Sequence, residues 1–314
     1  MYDCVVCGTC CVDLILTPMP LSEPFGSDAT RSLNEIRTMT GGIVSNAGGA
    51  MGRLGLNVAA LTLVGQDHWA SILLDELESN HVDISHVAMC ADGSSSVTAV
   101  LIDQQREHSF AYHAGAMDLM DAELFYANID LFAKCRIAMI GYYGLKPQFD
   151  EQLPELLPHI REQGCQVAMD VAGGGGSMQP LDRILPYLDY YVPSLSEASR
   201  QTGQSEPADM LTVYRDHGAT GLLGIKLGDQ GALLSPASDA DHIVVSPVPP
   251  PGPIVDTTGA GDCFFAGLLA GLLRDMSLEK AGRLGAAAGA CCITDYAGTA
   301  GVRDFDETCR LAGL

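Results

Sequence analysis

Positive charge is scarce in this chain of 314 residues: 17 lysines and arginines stand against 39 aspartates and glutamates, for a formal net charge of −22 at pH 7. Nucleic acid and anionic membrane surfaces would be repelled by such a protein, so neither is expected as a partner. Small phosphorylated ligands are not excluded, because a local cluster of backbone N–H groups holds an anion on an acidic protein. Long apolar runs are missing too. No stretch reaches a membrane span, and the first residues lack the basic, then apolar, then small-residue order of a signal peptide. The eight histidines are dispersed, with no His-x-x-His or Glu-x-x-His cluster that would suggest zinc. Eleven cysteines, an odd number scattered over the chain, do not resemble a secreted disulfide framework. A reduced, cytoplasmic protein is the expectation. What is present is 47% apolar and 18% charged residues, enough for a folded chain with a substantial core.

The cysteines concentrate at the start, in CVVCGTCCVD, residues 4–13. Valine and cysteine leading to a polar residue predict one buried first strand. On a strand Cys4 and Cys7 point to opposite sides, as do Cys10 and Cys11. The same-face pairs, Cys4 with Cys10 and Cys7 with Cys11, then lie about 20 and 13 Å apart, too far to share a zinc. These cysteines read as small buried hydrophobes.

Further on, apolar strands alternate with amphipathic helices. Strands are expected at 57–65, 135–141, 165–170, 189–193 and 221–228. Helices are expected at 68–80, 148–163, 195–202 and 207–218, with two long Ala/Leu/Gly helices near 261–274 and 277–295. The alternation predicts an open, largely parallel α/β sheet covered by helices, with ligands at the carboxyl ends of the strands. Residues 14–40 read as loop, and 95–113 as a hairpin around the polar QQRE. A small strand-built lid over the main sheet is a natural home for both. GGGG at 173–176 reads as a loop beyond a strand, and no linker or repeat separates independent domains.

The stretch PGPIVDTTGAGDCFFAGLLAGLL, residues 251–273, carries the strongest chemical signal. Pro-rich coil gives way to Asp256, two threonines, then Gly259-Ala260-Gly261-Asp262, and at once an apolar helix. Glycines there let successive N–H groups point outward at a helix start, a receptacle for phosphate. A helix cap at Thr258 or Asp262 would explain one polar residue, but not two threonines, two glycines and two aspartates together. The Gly-Lys-Ser/Thr ending of a Walker A loop is absent. An aspartate beside bound phosphate is tolerable if its task is to take a proton from an attacking hydroxyl. The second signal is GGIVSNAGGAMGRLGLNVAALTLVGQD, residues 41–67. Its later glycines fit a closely packed helix and spell no dinucleotide fingerprint. Gly41, Gly42 and Asn46 fit a polar rim where backbone and an amide reach a hydroxylated ligand.

These two segments together resemble the PfkB family of carbohydrate kinases, also called the ribokinase family. Gly41 to Asp67 is similar to its N-terminal signature, and D-T-T-G-A-G-D at 256–262 to its C-terminal one, without substitution. Gly8 and Asp13 resemble the family's opening strand, and the correspondence runs in order over nearly the whole chain. The resemblance implies an α/β, ribokinase-like three-layer sandwich, with a central mostly parallel sheet and a small β-sheet lid. It implies one kinase domain over 1–314, the lid coming from about 14–40 and 93–117. It also implies in-line transfer of the γ-phosphoryl of ATP, with Mg²⁺, to a hydroxyl of a small sugar: a pentose, hexose or ketose.

By the same resemblance Asp262 is the general base, and Gly259, Ala260 and Gly261 are the anion hole. Asp13, Gly41, Gly42 and Asn46 hold substrate hydroxyls. Lys226, Gly228 and Gly231 lie on the ATP side. Asp256 stands where many members bind a monovalent cation, implying K⁺ activation. Ser194 and Glu197 occupy the family's Asn-x-x-Glu motif, through which Mg²⁺ is held by way of water. Here the amide has become a hydroxyl, which implies retuned metal dependence. In the lid turn Gly115-Ala116-Met117 replaces a Gly-Ala-Asn, so Met117, with Phe110 and Tyr112, is either lid packing or substrate contact. Asp170 is either part of the metal-water network or a turn former. Cys263, Cys291 and Cys292 are expected in the core. A nucleoside kinase of the same fold and a non-catalytic sugar-binding regulator are the alternatives. Exposed lid strands would gain from pairing, which implies a homodimer through the lid.

Overall fold

The computed structural model of the protein describes residues 1–22, 30–105, 107–172, 174–236, 242–296 and 298–314. Its first strand, β1 (Tyr2–Cys7), stops at Gly8, where φ is +140° and a Cβ would lie 1.9 Å from the Gly141 carbonyl oxygen. Only glycine fits there. The cysteine-rich opening is therefore two strands and not one: after the break, β2 (Cys11–Thr17) joins a different sheet and carries Asp13 with it. Within β1 the expected alternation holds, with Cys4 and Val6 in the core on one side and Val5 and Cys7 in the core on the other.

The stretch 14–40, read as loop, contains the rest of β2 and β3 (Glu35–Gly41). The charged and threonine-rich EIRTMTG hides a strand because much of it is open to solvent, so its pattern lacks apolar runs. Residues 23–29 of that stretch, and Gly173 of the GGGG loop, lie outside the described residues. The expected strand at 57–65 divides into β4 (Val58–Leu61) and β5 (Leu63–Gly65). Then follow β6 (Val82–Asp83), β7 (Ala88–Cys90), β8 (Ser96–Ile102) and β9 (His108–His113). The later strands are β10 (Cys135–Tyr143), β11 (Gln166–Val171), β12 (Tyr190–Tyr191), β13 (Leu222–Lys226), β14 (Ala232–Ser235) and β15 (Ile243–Val245).

Among the described residues, nine strands make the main sheet in the order β15-β14-β13-β12-β11-β10-β1-β4-β6. Pairing is parallel from β13 to β6 and antiparallel at β13-β14-β15. Both faces of the parallel part are covered, which is why its strands read as nearly unbroken apolar runs. Along β10, Ile137 and Met139 join the core on one side, and Ala138 and Ile140 the core on the other. The first side is filled by the helices Ala260–Leu272 and Leu278–Cys292, and the second by helices such as Leu153–Glu162. The architecture is thus the expected three-layer α/β sandwich.

A small separate sheet, β3-β2-β8-β9, stands beside it. The β8–β9 hairpin forms as its alternation predicted, while β2 pairs parallel to β8 and antiparallel to β3. Among the described residues no helix is long and apolar enough to cross a membrane.

Candidate active site

The Ala260–Leu272 helix begins where the chain emerges from Pro-rich coil. Gly259 makes the turn with φ of +78°, and a Cβ on it would come 2.8 Å from Gly298 Cα. Asp262 follows in the first helical turn, 8% exposed. Its Oδ2 accepts two hydrogen bonds, from Asn46 Nδ2 at 2.8 Å and from the Tyr142 hydroxyl at 2.7 Å. Burial foremost, and the Asp170 charge after it, push the Asp262 carboxyl up to about 7, against the pull of Lys226, Asn46 and Tyr142. A carboxyl so placed titrates in the range where a general base works.

Beside it, at the carboxyl ends of β11 and β13, lies a buried ion pair. Lys226 Nζ is 3.0 Å from Asp170 Oδ1 and donates weakly to the Gly261 carbonyl at 3.5 Å. Burial works against the ammonium charge, but Asp170, Glu197 and Asp262 hold Lys226 above its ordinary value. Asp170 is fully buried, and its Oδ2 has no hydrogen-bond partner among the described residues. Ser194 and Glu197 form a capping box on the Leu195–Thr202 helix: Ser194 N donates to Glu197 Oε2 at 2.7 Å, and Glu197 N to Ser194 Oγ. Ser194 serves there as the helix cap, a role open to serine and asparagine alike. A ladder bridge to Lys226 sets this helix start beside the ammonium.

Two clefts meet at the Asp256–Gly261 turn, sharing Ile254 and Thr257 in their walls. The larger, about 840 Å³, opens between that turn and the small sheet, and Asp13, Gly41, Asn46 and Asp256 line it. The smaller, about 620 Å³, is lined by Lys226, Gly228, Gly231, Ala260 and Gly261, with Val248, Phe264 and Ile293. Gly42, expected at the rim, lines neither cleft; it turns the chain against the Thr9 carbonyl, which a Cβ would approach to 2.5 Å. Asp13 Oδ1 accepts from the Cys11 thiol at 3.2 Å, and burial, with the charge of Asp256, raises its carboxyl. Gly41 leaves room for that carboxylate, since a Cβ would sit 2.4 Å from Asp13 Oδ2. Asp256 Oδ1 accepts from Thr258 N at 2.9 Å and Thr258 Oγ1 at 2.8 Å, closing the turn on itself.

Met117 is buried in the core, whereas Phe110 lines the larger cleft and Tyr112 does not. Cys263, Cys291 and Cys292 are buried as expected. Asp170, which the sequence left between two roles, is the partner of Lys226. Two residues at the site had no signal of their own. Cys11 was read only as a strand cysteine. Tyr142 stands at the carboxyl end of β10, where ligands gather, but nothing in GYYG distinguishes it from Tyr143, whose hydroxyl donates to the Ser177 carbonyl instead.

The sequence matches the model of the pfkB family carbohydrate kinases over residues 1–304. It is 30% identical over 244 residues to the aminoimidazole riboside kinase of Salmonella typhimurium, covering 74% of each chain. It is 25% identical over 312 residues to the ribokinase of Bacillus subtilis, covering 99% of each. The fold of Arabidopsis thaliana ribokinase, complexed with ribose and ATP, superposes with a TM-score of 0.86 at 20% identity, covering 100% of this chain and 99% of that one. With its two glycine-bearing signatures folded around one buried aspartate, the protein belongs to the pfkB family of carbohydrate kinases.

Proposed function

We propose that the protein transfers the γ-phosphoryl group of ATP to a hydroxyl of a small uncharged sugar, with Asp262 as the general base. The observation that carries this reading is the buried carboxylate of Asp262 at a helix start, behind the turn where two clefts meet. The smaller, apolar cleft suits the adenine end of ATP; Ala260 and Gly261 line it, and their amides, with that of Gly259 just before them, would receive phosphate. Lys226 adds a fixed positive charge there. The larger cleft takes the sugar, whose hydroxyls meet Asp13, the Gly41 backbone and Asn46.

In the transfer, the sugar hydroxyl oxygen bonds to the γ-phosphorus while the bond from that phosphorus to the bridging oxygen breaks. The hydroxyl proton goes to Asp262, and ADP leaves with the electron pair. Strands β2, β3 and β8 contribute Asp13, Arg37, Met39 and Thr98 to the wall of the sugar cleft. Their sheet therefore acts as a lid within one kinase unit spanning 1–314, excluding water that would otherwise compete as acceptor. Ile36 on β3 and Phe110 on β9, 64% and 65% exposed, favour a second copy pairing along that sheet.

Asp170, whose Oδ2 lacks a partner, and Glu197 would hold Mg²⁺ through water beside Lys226. Such an ion neutralises charge on the phosphates, and one or two carboxylates plus nucleotide phosphates are its usual ligands. K⁺ at Asp256 rests on the resemblance, since that carboxylate is engaged with Thr258.

Charge in the sugar cleft narrows the substrate. Asp13, Glu35, Asp103 and Asp256 line it, against Arg37. That arginine is committed to Glu35 at 2.5 Å and stacks over the Tyr296 ring at 4.1 Å. Sugar acids and sugar phosphates would enter against this field. A nucleoside is the second reading: the volume and the walls formed by Phe110 and Tyr296 leave space for a base beside a ribose. An ATP-consumption screen across pentoses, hexoses, ketoses and nucleosides, with sugar acids and sugar phosphates beside them, tests both. Preference for an anionic acceptor overturns the neutral-substrate reading. Tight sugar binding without turnover of any acceptor points to the non-catalytic regulator.

A further inference from the structure

We infer that Tyr142 is a positioning residue for the phosphoryl transfer: with Asn46 it ties Asp262 by one oxygen, Oδ2, and so assigns proton uptake to Oδ1. The inference rests on the kinase reading above and extends it to the orientation of the base. A carboxylate at the end of a short side chain turns easily about its last bond, where the torsion has broad wells. Left alone, Asp262 would present either oxygen, in a range of directions, to the attacking hydroxyl. Here the Tyr142 hydroxyl at 2.7 Å and the Asn46 amide at 2.8 Å converge on Oδ2 from two elements, β10 and the short helix Val44–Gly48 that follows β3. No described residue donates to Oδ1.

The other groups around the carboxylate do not duplicate this hold. Asp170 on β11 adds negative charge; Lys226 on β13 is paired with Asp170; the thiol of Cys263, next in the helix, donates to the Gly298 carbonyl. Asp170 adds a further negative charge beside Tyr142, while the Cys11 thiol of β2, which donates to Asp13 and is held well above its ordinary value by burial, stays neutral. Burial, then the Asp262 charge, hold the Tyr142 phenol well above its ordinary value, so it stays a donor at working pH and is not itself the base. The plainer reading is a tyrosine buried for its ring, whose hydroxyl exerts no hold on Asp262 in the folded protein. That reading leaves the titration and the pH profile of the base unchanged beyond what lost stability would do.

Tyr142→Phe removes the hydroxyl and keeps the ring. Two readouts decide the matter: the pH profile of kcat with the best acceptor, and the carbon-13 titration of the Asp262 carboxyl in ligand-free protein, assigned with Asp262→Asn. Losing a donor to the charged form raises the carboxyl, so the titration midpoint should rise by about 1 unit. The acid limb of kcat should move with it, costing about 5-fold at pH 7 and less than ~1.5-fold at pH 9, with KM for ATP unchanged. An unmoved midpoint, or a loss of the same size at every pH, overturns the assignment. In wild-type protein with labelled tyrosine, the Tyr142 hydroxyl proton should follow the Asp262 titration. A resonance indifferent to it overturns the bond even if Tyr142→Phe does not fold. Wild-type protein that turns over no acceptor defeats the kinase reading instead, an outcome distinct from an unmoved midpoint in a working kinase.

Discussion

Asp262 sits where two effects oppose each other. A helix start favours a negative side chain by about 0.3–1 kcal/mol at an exposed site. Burial of a charge costs several kcal/mol, and the Asp170 charge adds to it, so burial wins and the carboxyl titrates near neutrality. Asp262→Asn keeps the shape and removes the proposed base. Turnover should fall by about 10²–10⁴-fold while ATP affinity changes little, read by ATP consumption beside nucleotide binding. A variant with near-normal turnover would remove Asp262 from the mechanism. Asp150 gives a stability counterpart away from the reaction. It is 4% exposed, accepts from Gly144 N, and burial pushes its carboxyl from 3.8 to about 7. The native state therefore holds an extra proton between those values. The stabilisation is complete below about pH 4 and is lost as pH rises through about 7. Asp150→Asn should thus melt a few degrees above wild type at pH 8 and close to it at pH 4, by calorimetry. Neither carboxyl's burial could be inferred from its neighbours in sequence, because burial depends on which elements cover it.

The two long helices, Ala260–Leu272 and Leu278–Cys292, position the Asp256–Gly261 turn by packing at glycine distance. A Cβ on Gly267 would lie 2.8 Å from Gly285 Cα and 2.9 Å from Ala288 Cβ. Gly267→Val should therefore cost about 1–3 kcal/mol or more through overpacking. Urea unfolding should show the lower midpoint, and kcat should fall with it, because the same helix carries Asp262. Unchanged stability would mean the helices separate without penalty. The abundance of glycine and alanine from 261 to 295 announced long, closely packed helices, and their bounds came within a few residues. The opening strand did not fare so well. Its break at Gly8 is enforced by the Gly141 carbonyl, which arrives from a strand more than a hundred residues away.

Across the molecule, a net charge of −22 makes self-repulsion a standing cost of the compact state. Salt at about 0.15 M shortens the reach of that repulsion to roughly 8 Å. The melting temperature should therefore rise on going from low salt to that ionic strength, and a melting temperature that falls would put stabilising ion pairs ahead of repulsion. On the function proposed, the same acidity would leave ATP to be held locally, by helix amides and by Lys226, and would favour a neutral acceptor in the carboxylate-lined cleft.

Hydrophobic period and turn chemistry are local properties, and what depends on them could be read directly from residues 1–314: the β/α alternation, the hairpin, the helix starts and the two glycine-bearing signatures. Those same signatures carried the family. The strands of 14–40 escaped because a sheet open to solvent on one face needs no apolar run. Which side chains meet is another matter. Asn46 and Tyr142 reach Asp262 across 216 and 120 residues, and Lys226 reaches Asp170 across 56. Those meetings follow from strand order, which places the ends of β10, β11 and β13 along one edge, and from the switch of sheet at Gly8 that carries Asp13 to the larger cleft. Strand order is settled by burial of both sheet faces at once, a condition no local stretch of sequence contains.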